Sequence, residues 1–501
     1  MKKKYIVLIV FGSILLTIIS IVSCLRLFVI KYKYDIHDER CTVTVEVKDY
    51  IWTPLVGDLT IRIPSTYQGK KVDGAYFSNS SDRVTKIKIG RNVAHIGQFN
   101  NFSRLKKIKV AMGNKVYTSI NGLLYSYDKT ILYCCPAGKK LTTFNAPDSL
   151  RIISVNAFAG NSKIEEIIIP KTVTTMAGLV FKDCENLKLV DLSNCTSLIN
   201  VGSKMFDSCS KLETVKLPSN SMLTNLSPQM FENCESLKEI VIPKTVETIG
   251  KEAFRGCAAL ETIKFEEGSK LKEIQDYAFI ASGLKSIELP DSVEYMGNCV
   301  FENCNNLENI KLSNNLLSIG VKAFMNCSSL KEIVIPSNLK TIYDMAFMNC
   351  TSLERVEFSE GIIDIQYQVF EGCTALKTIK LPSTIKRISP DLFKNCTSLE
   401  TVILPEELIS IGRCSFEGCI SLNEIKITAS EVHGESFRNC SNLQTVIISD
   451  RIETIYDKAF YGCDSLINVK YCGNEEQWDK INIEKYRENF SNVNITYNYN
   501  E

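Results

Sequence analysis

The chain has 501 residues, of which 45% are hydrophobic and 23% are charged, an ordinary composition for a protein that buries a core. Its length would suit two or three ordinary domains. The net charge is +1. The first 33 residues carry six basic and no acidic side chains, so the remainder carries 52 basic and 57 acidic residues, a balance of −5. That balance excludes an overall basic footprint of the kind that binds nucleic acid.

The N-terminal segment, residues 1–35, has the pattern of a membrane anchor. Three lysines precede an apolar run, Tyr5–Leu25, of about 21 residues, which as a helix spans a ~30 Å hydrocarbon core. Cations ahead of such a run stay in the cytoplasm, so the chain after it is expected outside the membrane. Ile21-Val22-Ser23-Cys24 also resembles the lipobox of bacterial lipoproteins, in which the Cys is lipidated, although the residues after Cys24 stay apolar. An uncleaved span, a lipid on Cys24 and a cleaved signal are the three alternatives.

Residues 36–66 predict capping strands ahead of the repeats. The stretches CTVTVEV and LTIRIP alternate apolar and polar residues with the period of two that half-buried strands have. An irregular insert follows near residues 113–140. Its Asn121-Gly122 pair between apolar runs predicts a two-residue hairpin, and Asp128-Lys129 marks a second turn.

A repeat of about 23 residues occupies residues 67–470, and a period of this length with fixed apolar positions predicts a solenoid. A recurring Phe is followed by Cys in twelve of fourteen cases, then by Leu and by x-x-Ile/Val-x-aliphatic, the pattern of a leucine-rich repeat. We therefore expect a leucine-rich-repeat solenoid, a right-handed superhelix of α/β type with a parallel concave β-sheet, behind an N-terminal transmembrane helix. Residues 471–501 leave the repeat and predict a C-terminal cap over its last open edge. The recurring residues are Phe158, Phe181, Phe206, Phe231, Phe254, Phe279, Phe301, Phe324, Phe347, Phe370, Phe393, Phe416, Phe437 and Phe460.

The twelve cysteines of the repeat predict a ladder of buried free thiols under the Phe ladder, because a buried Cys behaves as a small hydrophobe. No Cys-x-x-Cys pair occurs, so we expect no metal site. Any disulfide is expected among the cysteines outside the ladder, although the spacing selects no pair. These are Cys24, Cys41, Cys134, Cys135, Cys195, Cys299, Cys414 and Cys472.

The residue after the repeat Leu alternates in sign over eleven successive rungs. Identical positions lie side by side in a stack, so alternation gives each charge an opposite neighbour. We interpret this row as structural, with a ligand-binding charge stripe as the alternative. Its members are Glu165, Lys188, Glu213, Lys238, Glu261, Lys285, Glu308, Lys331, Glu354, Lys377 and Glu400.

A second row consists of the outward side chains of the repeat strands. In the strand after Leu330, Ile333 and Ile335 should point inward and Val334 outward. Mixed charges with scattered aliphatic residues suit a protein partner, so this row is the candidate partner-binding face. The candidates are Lys216, Val241, Lys264, Glu288, Lys311, Val334, Glu357, Lys380, Ile403 and Lys426.

Catalysis has little support in the sequence. The three histidines, His37, His95 and His433, lie in unrelated contexts, and no Walker loop, Gly-x-Ser-x-Gly or His-Glu-x-x-His motif occurs. We therefore expect no enzyme, no catalytic residue and no cofactor.

The period AFxxCxxLxxIxLPxxVxxIG over residues 67–470 resembles the BspA-type leucine-rich repeats. The insert SINGLLYSYDKTILYCCPAGKK resembles a hairpin of that family, and CGNEEQWDKINI with NITYN resembles its C-terminal cap. Members of that family are bacterial surface proteins, so the resemblance implies a bacterial cell-surface protein. Some members adhere to host matrix proteins or to other cells. It transfers no binding residue, because the shared positions are core positions.

These observations predict a single-pass protein of the cell membrane with an extracellular, non-enzymatic ectodomain. Its expected partner is a protein or another component of the cell surface or extracellular matrix, and the membrane is reached through the N-terminal segment. A lipoprotein and a secreted protein are the alternative locations. An envelope structural protein and the docking scaffold of a surface enzyme are the alternative functions. The sequence does not specify the ligand or the oligomeric state.

Overall fold

The computed structural model describes residues 29–48, 57–79, 81–99, 102–484 and 493–500. The chain forms two compact units, Met1–Met222 and Leu223–Glu501, and the described part of each is built from stacked β-rungs. The predicted membrane anchor and Cys24 lie outside the described residues. Within those residues, no helix is long and apolar enough to cross a membrane.

The first unit contains seventeen described strands. They are β1 (Ile30–His37), β2 (Arg40–Val47), β3 (Leu59–Arg62), β4 (Thr66–Tyr67), β5 (Lys70–Phe77), β6 (Val84–Ile89), β7 (His95–Ile96), β8 (Lys107–Val110), β9 (Tyr117–Ile120), β10 (Leu123–Ser126), β11 (Ile131–Cys134), β12 (Ile152–Ile153), β13 (Glu166–Ile168), β14 (Thr175–Met176), β15 (Leu189–Asp191), β16 (Asn200–Val201) and β17 (Thr214–Lys216).

The beginning of the first unit confirms the predicted strands and turns. Strand β2 alternates exposed and buried residues and pairs antiparallel with β1 and parallel with β5. Strands β3, β6 and β8 form a separate parallel sheet. Asn121 and Gly122 link the antiparallel strands β9 and β10, and both have positive φ, 52° and 87°, as a two-residue hairpin turn requires. Lys129, with φ of 64°, lies in the second turn, between β10 and β11.

The second unit alternates strands of two residues with strands of three or four residues. They are β18 (Asn225–Leu226), β19 (Glu239–Ile242), β20 (Thr248–Ile249), β21 (Thr262–Phe265), β22 (Glu273–Ile274), β23 (Ser286–Glu288), β24 (Tyr295–Met296), β25 (Asn309–Lys311), β26 (Ser318–Ile319), β27 (Glu332–Ile335), β28 (Thr341–Ile342), β29 (Arg355–Phe358), β30 (Asp364–Ile365), β31 (Thr378–Lys380), β32 (Arg387–Ile388), β33 (Thr401–Ile403), β34 (Ser410–Ile411), β35 (Glu424–Ile427), β36 (Glu431–Val432), β37 (Thr445–Ile448), β38 (Thr454–Ile455), β39 (Asn468–Tyr471), β40 (Asn482–Ile483) and β41 (Asn494–Thr496).

Each regular rung therefore contributes a long strand and a short strand to two sets of parallel ladders. Strand β27 pairs with β29, and β28 pairs with β30, in each case with the equivalent strand of the next rung. The inward side chains Ile333, Ile335 and Ile342 are buried, as the alternation of the sequence predicts. The second, short strand was not part of the prediction.

The expectation of an α/β-type repeat is wrong, because turns rather than helices close each rung. The closing segment 343–350 is too short for an ordinary helix and has two residues, Met345 and Asn349, with φ of 57° and 59°. Left-handed backbone at these two positions interrupts any right-handed helix. Instead, the N–H groups of Met345, Phe347 and Asn349 donate to carbonyl oxygens of the next rung at 2.8–2.9 Å. The segment thereby forms a third hydrogen-bonded ladder.

The core of each unit contains the predicted Phe and Cys ladders. Successive Phe rings stack with centroids 5.0 to 5.7 Å apart. The ladder cysteines are buried, as predicted, and their thiols donate to the carbonyl oxygen of the preceding rung's Phe. Cys350 reaches Phe324 at 3.1 Å and Cys373 reaches Phe347 at 3.2 Å. Cysteine thus suits this position, because it is small and apolar and its thiol can donate a hydrogen bond to a buried carbonyl oxygen.

The C-terminal segment caps the second unit. Helix α1 (Glu475–Asp479) begins at Asn474, whose side chain accepts the N–H of Gln477 in a capping box. Trp478 is buried, and its ring lies 5.3 Å from that of Tyr471. Strand β41 pairs with β39 and covers its edge. The predicted closing strand is therefore present as β41.

Candidate functional site

The candidate partner-binding face in the second unit is the outward side of the long strands, here called the long-strand face. Its register follows the ladders: Val241 lies beside Lys264, Val334 beside Glu357, and Lys380 beside Ile403. All the second-unit candidates are exposed except Lys426, which is half-buried. The aliphatic members Val241, Val334 and Ile403 are 45%, 54% and 47% exposed. The strands thus present these side chains to solvent as the sequence predicts.

Most charges of the long-strand face are paired within it. Lys264 contacts Glu239 of the preceding rung at 3.0 Å, and Lys311 contacts Glu288. Glu357 contacts Arg355 at 3.2 Å. The first two pairs join neighbouring rungs and the third lies within β29, so the face offers a nearly neutral surface with three exposed aliphatic residues.

A shallow cleft of about 430 Å³ opens at the end of strands β21, β23 and β25. It brings together three predicted residues, Lys264, Glu288 and Lys311. The turn after β21 runs over residues 266–272, whereas the turn after β27 covers only 336–340, and the longer turn deepens the surface here. The cleft is also lined by Asp291, whose pKa is lowered by hydrogen bonds from the backbone and the side chain of Asn314.

Two further candidates have different surroundings. Lys216 belongs to the first unit, where its amine lies 3.4 Å from Asp191 of the neighbouring rung. Lys426 lies 3.7 Å from Glu406. One rung further, the outward residue Ile447 is buried instead of exposed. The amine of Lys470, on the next rung, lies 3.6 Å from Glu424, on the rung before that of Ile447.

The alternating Glu/Lys row forms ion pairs between rungs, separate from the outward row. Lys188 lies 3.3 Å from Glu165, and Lys331 lies 3.1 Å from Glu308. Lys285 likewise lies 3.0 Å from Glu261. These lysines contact the acid of the preceding rung, which supports the structural interpretation of the row.

A group of possible metal ligands lies on the closing turns of two successive rungs. The ligand atoms of Asp391, Cys414 and Glu417 lie within 4.8 Å of one another. The amine of Lys394 already lies 3.3 Å from Asp391 and 3.2 Å from Glu417. Burial, with the hydrogen bond and charge of Glu417, raises the pKa of Cys414 to about 12. Lys394 thus joins the two carboxylates in an ion-pair cluster beside the buried Cys414.

The histidines lie in separate elements. His37 ends β1, His95 begins β7, and His433 follows β36. His433 stacks on Tyr456 with ring centroids 4.9 Å apart and lies 3.5 Å from Glu431. The chemistry of this arrangement is that of a packed surface histidine, and the absence of catalysis stays a prediction.

Sequence reasoning missed the long-strand face of the first unit, where Lys86 and Lys88 alternate with inward residues on β6, and Lys107 and Lys109 on β8. The period-two lysines in KIKI and KKIKV are the signal that could have found it.

Comparison with known families settles which repeat this is. The model of the BspA type leucine-rich repeat region matches residues 129–261, 224–354, 318–440 and 386–500, with six copies of the repeat. The chain belongs to the BspA-type leucine-rich repeat family. Among curated proteins, none matches.

Several solved structures are similar to this chain. A leucine-rich repeat protein from Bacteroides ovatus is 22% identical, with a TM-score of 0.60 over 93% of this chain and 98% of that one. The pneumococcal vaccine antigen PcpA is 17% identical over 94% of this chain and 98% of that one, with a TM-score of 0.36. A leucine-rich cell surface protein from Faecalibacterium prausnitzii is 19% identical over 90% and 96%, with a TM-score of 0.35. The first of these supports the leucine-rich-repeat fold of this chain.

Proposed function

We propose that this BspA-type protein is a non-enzymatic interaction protein of the cell surface. It binds a protein partner, on another cell or in the extracellular matrix, through the long-strand face of its second unit. The observation that carries the proposal is the exposure of Val241, Val334 and Ile403 on the outward side of paired parallel strands. Apolar side chains surrounded by polar ones can form the buried core of a protein interface with its polar rim.

The charges around these residues suit the same role. Lys264, Lys311 and Glu357 are held by neighbouring side chains of opposite sign. Ordered charges lose little side-chain entropy when a partner docks, and they give specificity through complementarity with the partner's charges. The cleft beside Lys264 and Lys311 offers a concavity in which a partner's side chain can be buried.

The proposed location follows from the N-terminal segment. The apolar run Tyr5–Leu25 anchors the protein as a membrane span, or Cys24 carries a lipid, and both place the two units outside the membrane. A protein fixed there at one end can present its repeat surface to neighbouring cells or matrix.

The test uses full-length protein in detergent, immobilised and exposed to matrix and envelope fractions. The variant Val334→Asp places a charge on the long-strand face. Its matched control is Leu317→Asp, since Leu317 is 55% exposed and lies just before β26, in the set of short strands. We expect a partner that wild type and Leu317→Asp capture and Val334→Asp loses.

Equal capture by all three proteins would reject the long-strand face as the binding site. A partner lost only with Leu317→Asp would move the site to the short strands. An enzyme activity that co-purifies and depends on Val334 would favour the docking-scaffold function instead.

A further inference from the structure

The long-strand face of the first unit carries a concentrated patch of positive charge. Strands β3, β6 and β8 lie in register, so Arg62, Lys88 and Lys109 form one row across the sheet, and Lys86 and Lys107 form a second. Neighbouring strands are ~4.8 Å apart, and alternate residues along a strand are ~6.6 Å apart. Five cations therefore occupy one face of these three strands. We call this group of five side chains the basic patch.

The side chains of the basic patch, unlike most charges on the long-strand face of the second unit, are not held in ion pairs by any described residue. Within the described part of the chain, none of its five side chains forms a salt bridge with an acidic residue. Desolvation and then the neighbouring cations Lys109, Lys88, Lys107 and Arg62 lower the pKa of Lys86. Like charges directly opposite one another destabilise a sheet. The patch thus weakens its own sheet, and an anionic partner would relieve that repulsion.

An aromatic cleft of about 520 Å³ adjoins the patch and shares Arg62 with it. Tyr32 and Tyr34 line this cleft, and the hydroxyl of Tyr32 accepts the backbone N–H of Arg62 at 3.1 Å. Tyr34 is held in place by stacking on Tyr67, with ring centroids 3.7 Å apart. The carboxylate of Asp58 also lines the cleft, but it lies 3.6 Å from Arg104 and is paired.

The opposite side of the patch is bounded by the β9–β10 hairpin. The N–H of Ile108 donates to the carbonyl of Gly122 at 2.9 Å, so the hairpin lies against β8. The patch is therefore a platform with a hairpin on one side and tyrosine rings on the other.

We infer that this platform binds an acidic polysaccharide, with its anionic groups on the two rows of cations and a sugar ring against Tyr32 and Tyr34. Charge complementarity requires a polyanion. Tyrosine rings bury the apolar face of a sugar while their hydroxyls stay hydrogen-bonded. A lipid surface or an acidic peptide would engage the same cations, so the test includes both. The inference is independent of the protein-binding face of the second unit.

The test measures binding of full-length protein in a zwitterionic detergent to heparin, with neutral dextran as the uncharged comparison. The variant Lys88→Glu changes the central cation of the row between Arg62 and Lys109. We expect heparin binding to weaken by roughly tenfold or more, since the variant also repels the ligand. The melting temperature should stay the same or rise, because the variant removes two repulsions. Lys380→Glu, on the long-strand face of the second unit, is the matched control and should bind like wild type.

A second arm separates a sugar from charge alone. Tyr32→Ala should weaken binding of heparin and leave binding of polyglutamate unchanged. Failure of heparin to bind better than dextran, or an equal loss with Lys380→Glu, would overturn the proposal. The proposal would also be overturned if polyglutamate or phosphatidylglycerol vesicles bound as tightly as heparin and Tyr32→Ala had no effect. That result would make the patch a general anion surface. Phosphatidylcholine vesicles are the uncharged comparison for the lipid.

Discussion

Truncating one ring of the Phe ladder tests what holds the rungs together. Phe347 is completely buried, and its ring lies 5.1 Å from Phe324 and 5.5 Å from Phe370, at interplanar angles of 2° and 7°. Phe347→Ala removes both stacking contacts and leaves a cavity that the hydrogen-bonded turns on either side cannot close. Large-to-small changes of this kind cost about 3–5 kcal/mol. Because each rung contacts only its neighbours, the loss should be local.

The assay combines urea denaturation with hydrogen–deuterium exchange of the native protein. Exchange should accelerate at the rungs of Phe324, Phe347 and Phe370, whose amides form the closing-turn ladder, and should stay unchanged in the first unit. The surface variant Val334→Ala is the control and should change neither measurement much. A loss below about 1 kcal/mol, or exchange that rises equally in both units, would refute the reasoning.

Four further outcomes follow from the structure and the sequence. Cys350→Ala should lower the free energy of unfolding by about 1–2 kcal/mol, because it leaves the Phe324 carbonyl without the thiol donor, as urea denaturation will show. In wild type, burial raises the pKa of Cys350 to about 12. A maleimide at pH 8 should therefore label Cys350 only after denaturation. Rapid labelling of the native protein would contradict the buried ladder. Lys331→Glu should lower the free energy of unfolding by about 0.5–1.5 kcal/mol, because it replaces the contact with Glu308 by a repulsion. The loss should be smaller at high salt, which screens exposed charges. A loss that salt does not reduce would exclude an electrostatic cause. Deleting residues 1–28, which stops before β1, should abolish partition into detergent, and a truncated protein that still partitions would contradict the anchor.

The regular part of the fold was predictable because it depends on periodicity. The spacing of Phe347 and Cys350 in each rung identified the core, and Asn121-Gly122 identified the hairpin. The closing turns were not predictable in the same way. The prediction of α/β type came from the general class of the repeat. The left-handed φ of Met345 has no sequence signal of its own. Asn349, however, occupies a position before the ladder Cys that is Asn or Gly in most rungs, and these residues favour left-handed backbone, a signal that sequence reasoning missed.

The candidate site shows a similar division. The alternation along the strand correctly predicted that Val334 is exposed and that Ile333 is buried. Ile447 follows the same alternation but is buried, because exposure also depends on the side chains of neighbouring rungs, which the pattern along one strand does not place. The basic patch escaped notice because net charge was summed over hundreds of residues, whereas a patch depends on which strands lie side by side. Lys88 and Lys109 are 21 positions apart in sequence and directly opposite in the sheet.

Lysine footprinting of the captured complex tests the central claim, that the long-strand face of the second unit binds the partner. Reductive methylation with and without partner, read by mass spectrometry, compares Lys264 and Lys380 on that face with Lys251, whose amine lies over the ring of Tyr277 on the closing turn. Lys264 and Lys380 should be protected by the partner, and Lys251 should react at its free rate. Protection of Lys251 with no change at Lys264 and Lys380 would place the partner on the closing turns and contradict the claim.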